Sequence, residues 1–261
     1  MNIGKAVLAL LKRPTLIAPS KHIILLSHMR ANTSLIGHIL GSHPEISGYY
    51  EMHIGYFSWK SLFRQKLEFQ AAHEQEACSP FYFDKVLHSE HYINTNLFNP
   101  SRAIAIFSLR NPKKTIPSIV KLYEGVDPEH VFCTIAGAAE YYIERVNTLA
   151  SMAKQFSGQY YYYDAEAIKE KTDDTLTFLT ASLGLTSPLQ KNYKSQNNTG
   201  KGDSGDHSEN LTKGYISQAN TDYSTYEIPK ELLEKLEKSY QVSREIIIKH
   251  AKATIENREY K

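Results

Sequence analysis

The chain has 261 residues, 41% of them apolar, a formal net charge of +2 and two cysteines. That length and apolar share can bury a sizeable core and predict one domain, 1–261, of mixed class. The near-neutral charge excludes a global basic field, so nucleic acid is not an expected partner and any anion site has to be local. Cys78 and Cys133 are too few for a disulfide framework or a thiolate metal cage and fit a reducing compartment.

At the N-terminus Lys5 precedes the apolar run Ala6 to Leu11, shorter than a signal-peptide core of roughly 7–15 residues and far short of a membrane span of about 20. Residues 1–20 are read as an extension, with 3–13 offering at most a weak peripheral membrane contact. The expected location is cytoplasmic. His22-Ile-Ile-Leu-Leu-Ser27 reads as a buried strand. Leu35, Ile36, Ile39 and Leu40 then mark one helix face ending at Gly41, a suitable C-cap. Further strands are expected at Phe81-Tyr-Phe83, Ala103 to Leu109 and Gln159 to Tyr163. Pro112 suits the first turn of a helix running to about Tyr123, with Pro117 bending it or lying within its start. Helical patterns cover 129–156, the stretch from Asp173 to Gly184, and a charged segment from Pro229 to about Asn257. Residues 195–214 are rich in Asn, Gly, Ser and Asp without apolar period; loops that long are functional or disordered. Strands alternating with helices predict an α/β fold with a mostly parallel sheet.

Three constellations carry chemistry. The first runs from strand to helix through Ser27-His-Met-Arg-Ala-Asn-Thr-Ser34. A loop there faces free helix-start N–H groups and the positive end of the helix dipole, which together attract an anion. Arg30 adds a permanent positive charge, and Thr33 and Ser34 add hydroxyls. A glycan on the sequon Asn32-Thr-Ser would destroy such a site. The second is Arg110-Asn-Pro at a strand end, with Ser118 eight residues on in the following helix. A guanidinium fork and a helix-borne hydroxyl can grip one phosphate from two sides. The third is Gly200-Lys-Gly-Asp-Ser-Gly-Asp-His-Ser-Glu-Asn-Leu-Thr in the long loop.

Arg30-Ala-Asn-Thr-Ser-Leu with the downstream His43-Pro resembles the phosphosulfate loop of sulfotransferases that use 3'-phosphoadenosine 5'-phosphosulfate (PAPS), in particular the carbohydrate and tyrosylprotein branch. Asn32 stands where that family has Gly. Arg110 and Ser118 match its 3'-phosphate pair. The third segment resembles the cytosolic members' loop that covers the nucleotide, with Lys201 and Gly202 matching, Gly200 replacing an Arg and His207 a Trp. Tyr163-Asp-Ala and the helix that follows resemble a further family landmark.

The resemblance implies a three-layer, P-loop-like sulfotransferase fold and PAPS as co-substrate, leaving 3'-phosphoadenosine 5'-phosphate (PAP); no metal is expected, since sulfuryl carries less charge than phosphoryl and the sequence offers no clear metal-ligand cluster. Nucleotide contacts fall to Arg30, Ala31, Asn32, Thr33, Ser34, Arg110, Ser118, Tyr163 near the adenine, Lys201 and Gly202. Lys85 resembles the catalytic Lys that follows a strand, and with Arg30 would stabilise charge on the bridging oxygen. Glu51, eight residues after His43, occupies the position of a family base, while His53 is the rival base because imidazole titrates near neutrality. His28 is a candidate anion contact or acid/base group. His88 and His91 have helical spacing, but no H-E-x-x-H or obvious third ligand accompanies them. The implied partner is a small-molecule or glycan acceptor, a saccharide or glycolipid; oligomeric state is not legible. Two other readings stay open: a non-catalytic nucleotide-binding protein of the same fold, and a degenerate P-loop kinase, although the Lys-Ser/Thr end of a kinase loop is missing.

Overall fold

The structure, a computed structural model, describes residues 10, 13–156, 158–196, 209–218 and 221–257. The first apolar run forms β1 (Lys21–Leu26), and successive side chains leave a strand on opposite faces. Ile24 and Leu26 accordingly enter one buried apolar cluster, while Ile23 and Leu25 enter another. The same division runs through β4 (Ala103–Leu109), where Ala105 and Phe107 oppose Ile104 and Ile106. In β5 (Tyr160–Asp164) Tyr160 and Tyr162 oppose Tyr163. Unbroken apolar runs belong to a sheet covered on both faces.

With β2 (Ile46–Ser47), β3 (Phe81–Val86) and β6 (Ala253–Ile255), the described residues make a six-stranded sheet of order β2-β3-β1-β4-β5-β6 in which every pairing is parallel. One face is covered by α1 (Thr33–Gly41), through Leu35, Ile36 and Ile39, together with Leu176 and Leu179 from further along the chain. The other face is covered by α3 (Pro112–Val126) and α4 (Ile135–Phe156). The three-layer α/β expectation therefore holds. Because the chain leaves β1 toward β3 on one side and returns to β4 on the other, the strand order reverses beside β1, where open parallel sheets place their ligands.

Several elements differ from the sequence reading. A helix, α2 (Trp59–Ala72), was not expected: its buried side includes Gln65, Lys66 and Gln70, which break the apolar period. Gln65 Oε1 meets His22 Nδ1 at 2.7 Å, and Lys66 Nζ donates to the Ala18 carbonyl at 2.7 Å. The helix expected from 129 starts later, at Ile135, after a 3₁₀ turn at Val131–Cys133. After β5 come the short α5 (Ala167–Glu170), then α6 (Thr172–Leu183), which ends as expected with Gly184 left-handed at φ 66°. Beyond α7 (Glu209–Thr212), the C-terminal helix α8 (Lys230–His250) stops short of 257. There Lys252 N–H donates to the Tyr160 carbonyl at 2.8 Å and the chain joins the sheet as β6. A buried clamp fixes this end, with Arg244 bidentate to Asp164 at 2.8 and 2.7 Å. No helix of the described residues is long and apolar enough to cross a membrane.

Candidate functional site

All strands being parallel, the C-terminal ends of β3, β1, β4 and β5 deliver their next residues to one edge of the sheet. The β1–α1 loop lies at its centre. Arg30 and Asn32 both adopt left-handed backbone, φ 63° and 55°, a conformation that costs non-glycine residues about 1–3 kcal/mol and persists only where the surroundings impose it. Asn32 is the N-cap of α1, yet its side chain makes no capping bond; its Nδ2 donates instead to the Ala165 carbonyl at 2.7 Å. The amides opening α1 are thus left by their own cap residue to face the loop, the arrangement that binds anions.

The loop is braced from beneath. Arg145, on α4 and 1% exposed, donates from Nε to the Ser27 carbonyl at 2.8 Å and from Nη2 to the Val86 carbonyl at 2.6 Å. Met29 N–H donates to the Tyr141 hydroxyl at 2.8 Å, and that hydroxyl donates to the Leu87 carbonyl at 2.9 Å. Ser27 Oγ donates to the Ser108 carbonyl at 2.7 Å. These bonds tie the loop to β3 and β4.

The expected phosphate pair converges on that loop. Arg30 Nε donates to Ser118 Oγ at 2.8 Å, and Arg110 Nη1 donates to the Arg30 carbonyl at 2.7 Å. Arg110 is fixed through both sides of its backbone: its N–H donates to His28 Nε2 at 3.0 Å and its carbonyl accepts from the Tyr142 hydroxyl at 2.7 Å. The next amide, Asn111 N–H, donates to Glu166 Oε1 at 3.0 Å; burial raises the Glu166 pKa against the lowering effect of that bond. His28 Nδ1 pairs with the Met29 carbonyl at 2.9 Å, so Nδ1 carries the hydrogen and Nε2 the lone pair. Burial pushes this ring's pKa down to about 3. His28 is therefore a neutral positioning residue, and the expectation that it contacts an anion or exchanges protons is corrected by its complete burial.

Across the loop, Lys85 near the end of β3 donates from Nζ to Ser34 Oγ at 3.2 Å, which brings its cation to the first turn of α1. Thr33 is buried and Ser34 half-buried there, and Ala31 is enclosed. Glu51 reaches the same edge: its Oε1 accepts Leu87 N–H at 3.2 Å, two residues past Lys85. The segment leading to Glu51 is strand only over Ile46–Ser47, because Gly48 turns away at φ 103° and passes so close to β3 that a Cβ would meet the Phe83 carbonyl oxygen at 2.3 Å. That turn carries Glu51 over the end of β3. His53 Nδ1 stands 4.0 Å from Glu51 Oε1.

Two expectations fare differently. Tyr163 has no exposed surface and belongs to the apolar cluster with Ile168, Leu176 and Leu179, so it cannot touch an adenine; in a sheet covered on both faces the fourth Tyr of the run is core. Lys201 and Gly202 lie outside the described residues. The flanks of their loop are held by an Asn192–Tyr215 bridge and by Tyr193 N–H donating to the Gly214 carbonyl at 2.8 Å. Sequence reasoning missed Arg145, Tyr141, Tyr142 and Glu166. The only available signal for the first three was a cation and two hydroxyls spaced along the otherwise apolar face of an amphipathic helix. It also found no ligand set around His91, whereas the fold brings Glu51, His53 and His91 within 4.8 Å of one another.

No protein-family model matches the chain, and no curated protein matches its sequence. Among solved structures the fold is similar to that of the sulfotransferase domain from the olefin synthase of Synechococcus PCC 7002, at 17% identity and TM-score 0.55, covering 85% of this chain and 95% of that one. It is also similar to the sulfotransferase domain from the curacin biosynthetic pathway, at 15% identity and TM-score 0.52 over 86% and 98% of the two chains. A mouse sulfotransferase complexed with PAP gives 13% identity and TM-score 0.52, over 89% and 91%. The chain shares the fold of these sulfotransferases.

Proposed function

We propose that the chain transfers a sulfuryl group from PAPS to an acceptor hydroxyl. The observation that carries this reading is the convergence of Arg30 with Arg110 and Ser118, which belong to a strand–helix unit far along the chain, beside the uncapped start of α1. In this reading Arg110 and Ser118 hold the 3'-phosphate, with Lys201 and Gly202 covering it. The amides of Ala31 to Ser34 and the side chains of Thr33 and Ser34 hold the 5'-phosphosulfate. The match in fold to a sulfotransferase complexed with PAP supports the nucleotide.

The acceptor oxygen forms a bond to sulfur as the bond from sulfur to the bridging phosphate oxygen breaks. PAP leaves with the electron pair, and Arg30 and Lys85 stabilise the charge growing on that oxygen. Positioning and fixed charges supply most of the acceleration in such in-line transfers. Glu51 accepts the acceptor's proton and passes it to solvent. No metal enters this scheme.

The acceptor in this reading is a saccharide or glycolipid, as in the carbohydrate branch. Phe57 and Tyr92, exposed and stacked at 5.2 Å, lie on the segments that carry His53 and His91 and offer the flat apolar surface on which sugar rings rest. Transfer of label from sulfur-labelled PAPS to a panel of saccharides, glycolipids, peptides and phenols tests the reading. Stoichiometric PAP and sulfated product are expected. Tight PAP binding with no transfer to any acceptor would favour a nucleotide-binding protein without turnover.

A further inference from the structure

We infer that Glu51, His53 and His91 form a binding site for a divalent transition-metal ion of the zinc class. One ligand atom from each lies within 4.8 Å of the other two, and Glu51 Oε1 is 4.0 Å from His53 Nδ1. Zinc bonds of about 2.0–2.2 Å in tetrahedral geometry put neighbouring ligand atoms roughly 3.3 Å apart, so closure requires movements of about an ångström. His53, with 43% of its side chain exposed, is free to make them.

Three features mark the cluster as more than chance proximity. His91 Nε2 is buried without a hydrogen-bond partner; the Glu90 carboxylate is 3.6 Å away, beyond hydrogen-bond reach, and a buried polar atom of this kind requires an explanation. The backbone of His53 is left-handed at φ 53°, a state that only a few per cent of non-glycine residues adopt, histidine among the more frequent, and that the surrounding fold has to maintain. Glu51 is buried and already oriented, since the same Oε1 accepts the Leu87 amide, the kind of supporting bond that aims metal ligands.

Two imidazoles with one carboxylate select zinc, cobalt, nickel or copper over magnesium and calcium, which prefer oxygen throughout. Three protein ligands leave a fourth position open to water or to a substrate hydroxyl. In a protein that uses Glu51 as a base, an ion here removes that base from use. The binding itself does not rest on that role.

Zinc titration of the tag-free full chain by calorimetry decides the matter, with cobalt absorption in the visible range as the geometric readout. One zinc per chain at micromolar affinity or tighter, and a tetrahedral cobalt spectrum, are expected. Loss of a direct ligand in His53→Ala or His91→Ala should weaken zinc at least as much as loss of an outer-sphere partner does, about a hundredfold, and abolish the cobalt bands. Affinity unchanged in His53→Ala, or the absence of stoichiometric zinc in the wild type, overturns the site. His53 is exposed, so its variant decides even where His91→Ala fails to fold. Neither readout uses nucleotide or acceptor, so failure here leaves the transfer reading standing, and failure of transfer leaves the metal site standing.

Discussion

The backbone N–H of Arg110 donates to Nε2 of His28 at 3.0 Å, and this bond exists only while the imidazole is neutral. A protonated ring would turn a second N–H toward the first. Burial keeps the ring neutral, with its pKa pushed down to about 3, whereas an unfolded His titrates near 6.5. Between those values the unfolded chain binds the additional proton. The His28 contribution to stability is thus complete above about pH 6.5 and is lost as pH falls, by up to about 1.4 kcal/mol per unit. In His28→Gln the amide oxygen can still accept the Arg110 N–H without titrating. Urea unfolding at pH 7.5 and 5.0 should show a smaller acid loss in that variant than in the wild type. Equal losses would mean that His28 does not control the linkage.

The nucleotide assignment is tested by affinity. With Arg110 and Ser118 on the 3'-phosphate, PAP should bind well and 5'-AMP poorly. Charge-assisted hydrogen bonds contribute about 1.5–3 kcal/mol each, so Arg110→Ala should lose one to two orders of magnitude in PAP affinity. It should change AMP affinity little. Calorimetry with both nucleotides checks this, and equal binding of PAP and AMP by the wild type would remove the basis for a 3'-phosphate site.

Asp84 opposes His28 in its pH dependence. Its carboxyl faces three donors, Met52 N–H at 2.9 Å, Lys85 N–H at 2.8 Å and the Tyr56 hydroxyl at 2.6 Å, which favour the anion. Complete burial outweighs them and raises the pKa to about 7. Folded Asp84 therefore holds a proton that the unfolded chain gives up near 3.8, and its contribution to stability declines as pH rises from about 4 to 7. Asp84→Asn removes that titration. Its stability relative to wild type should be more favourable at pH 8 than at pH 5, and a difference independent of pH would show that the carboxyl ionises normally.

What was legible in the sequence was contiguous. The strand, the Arg30 loop and α1 follow one another within about twenty residues, and Arg110 and Ser118 share one strand–helix unit, so local pattern was enough to find them. The groups that brace them come from elsewhere. Arg145 and Tyr141 reach the loop across the sheet from α4, and nothing in the spacing of a helix reveals which carbonyls a buried guanidinium will meet. The cluster of Glu51, His53 and His91 needs the turn at Gly48 and the segment after β3 to meet, a tertiary event. Tyr163 was misread for the opposite reason: its neighbours in sequence resemble a landmark, but the two-sided burial that hides it is a property of the whole sheet.

Gly48 offers a direct test of how Glu51 is placed. At φ 103°, with a Cβ position 2.3 Å from the Phe83 carbonyl oxygen, Gly48→Ala combines backbone strain with a clash against main chain. A loss of about 2–4 kcal/mol is expected. Gly158 also has positive φ, 74°, but a Cβ there meets nothing within 4 Å, so Gly158→Ala should cost only the left-handed penalty of about 1–2 kcal/mol. Equal losses in urea unfolding would show that the approach to β3 is not what constrains the turn.

The choice of base rests on Glu51 and His53, whose polar atoms stand 4.0 Å apart. Glu51 is buried, and the Leu87 amide fixes one of its oxygens. His53, two residues on, is exposed. A base works best when it is already oriented toward the hydroxyl it deprotonates, and the hydrogen-bonded carboxylate meets that requirement better than an exposed ring. Glu51→Gln preserves size and keeps an acceptor for Leu87 N–H while removing basicity. General-base catalysis contributes about 10²–10⁴ in rate, so turnover should drop at least a hundredfold while PAP affinity stays within a few fold. His53→Ala should retain most of the turnover measured without added metal. The reverse pattern, with near-normal turnover in Glu51→Gln and collapse in His53→Ala, would assign the proton to the histidine and leave the carboxylate holding the end of β3.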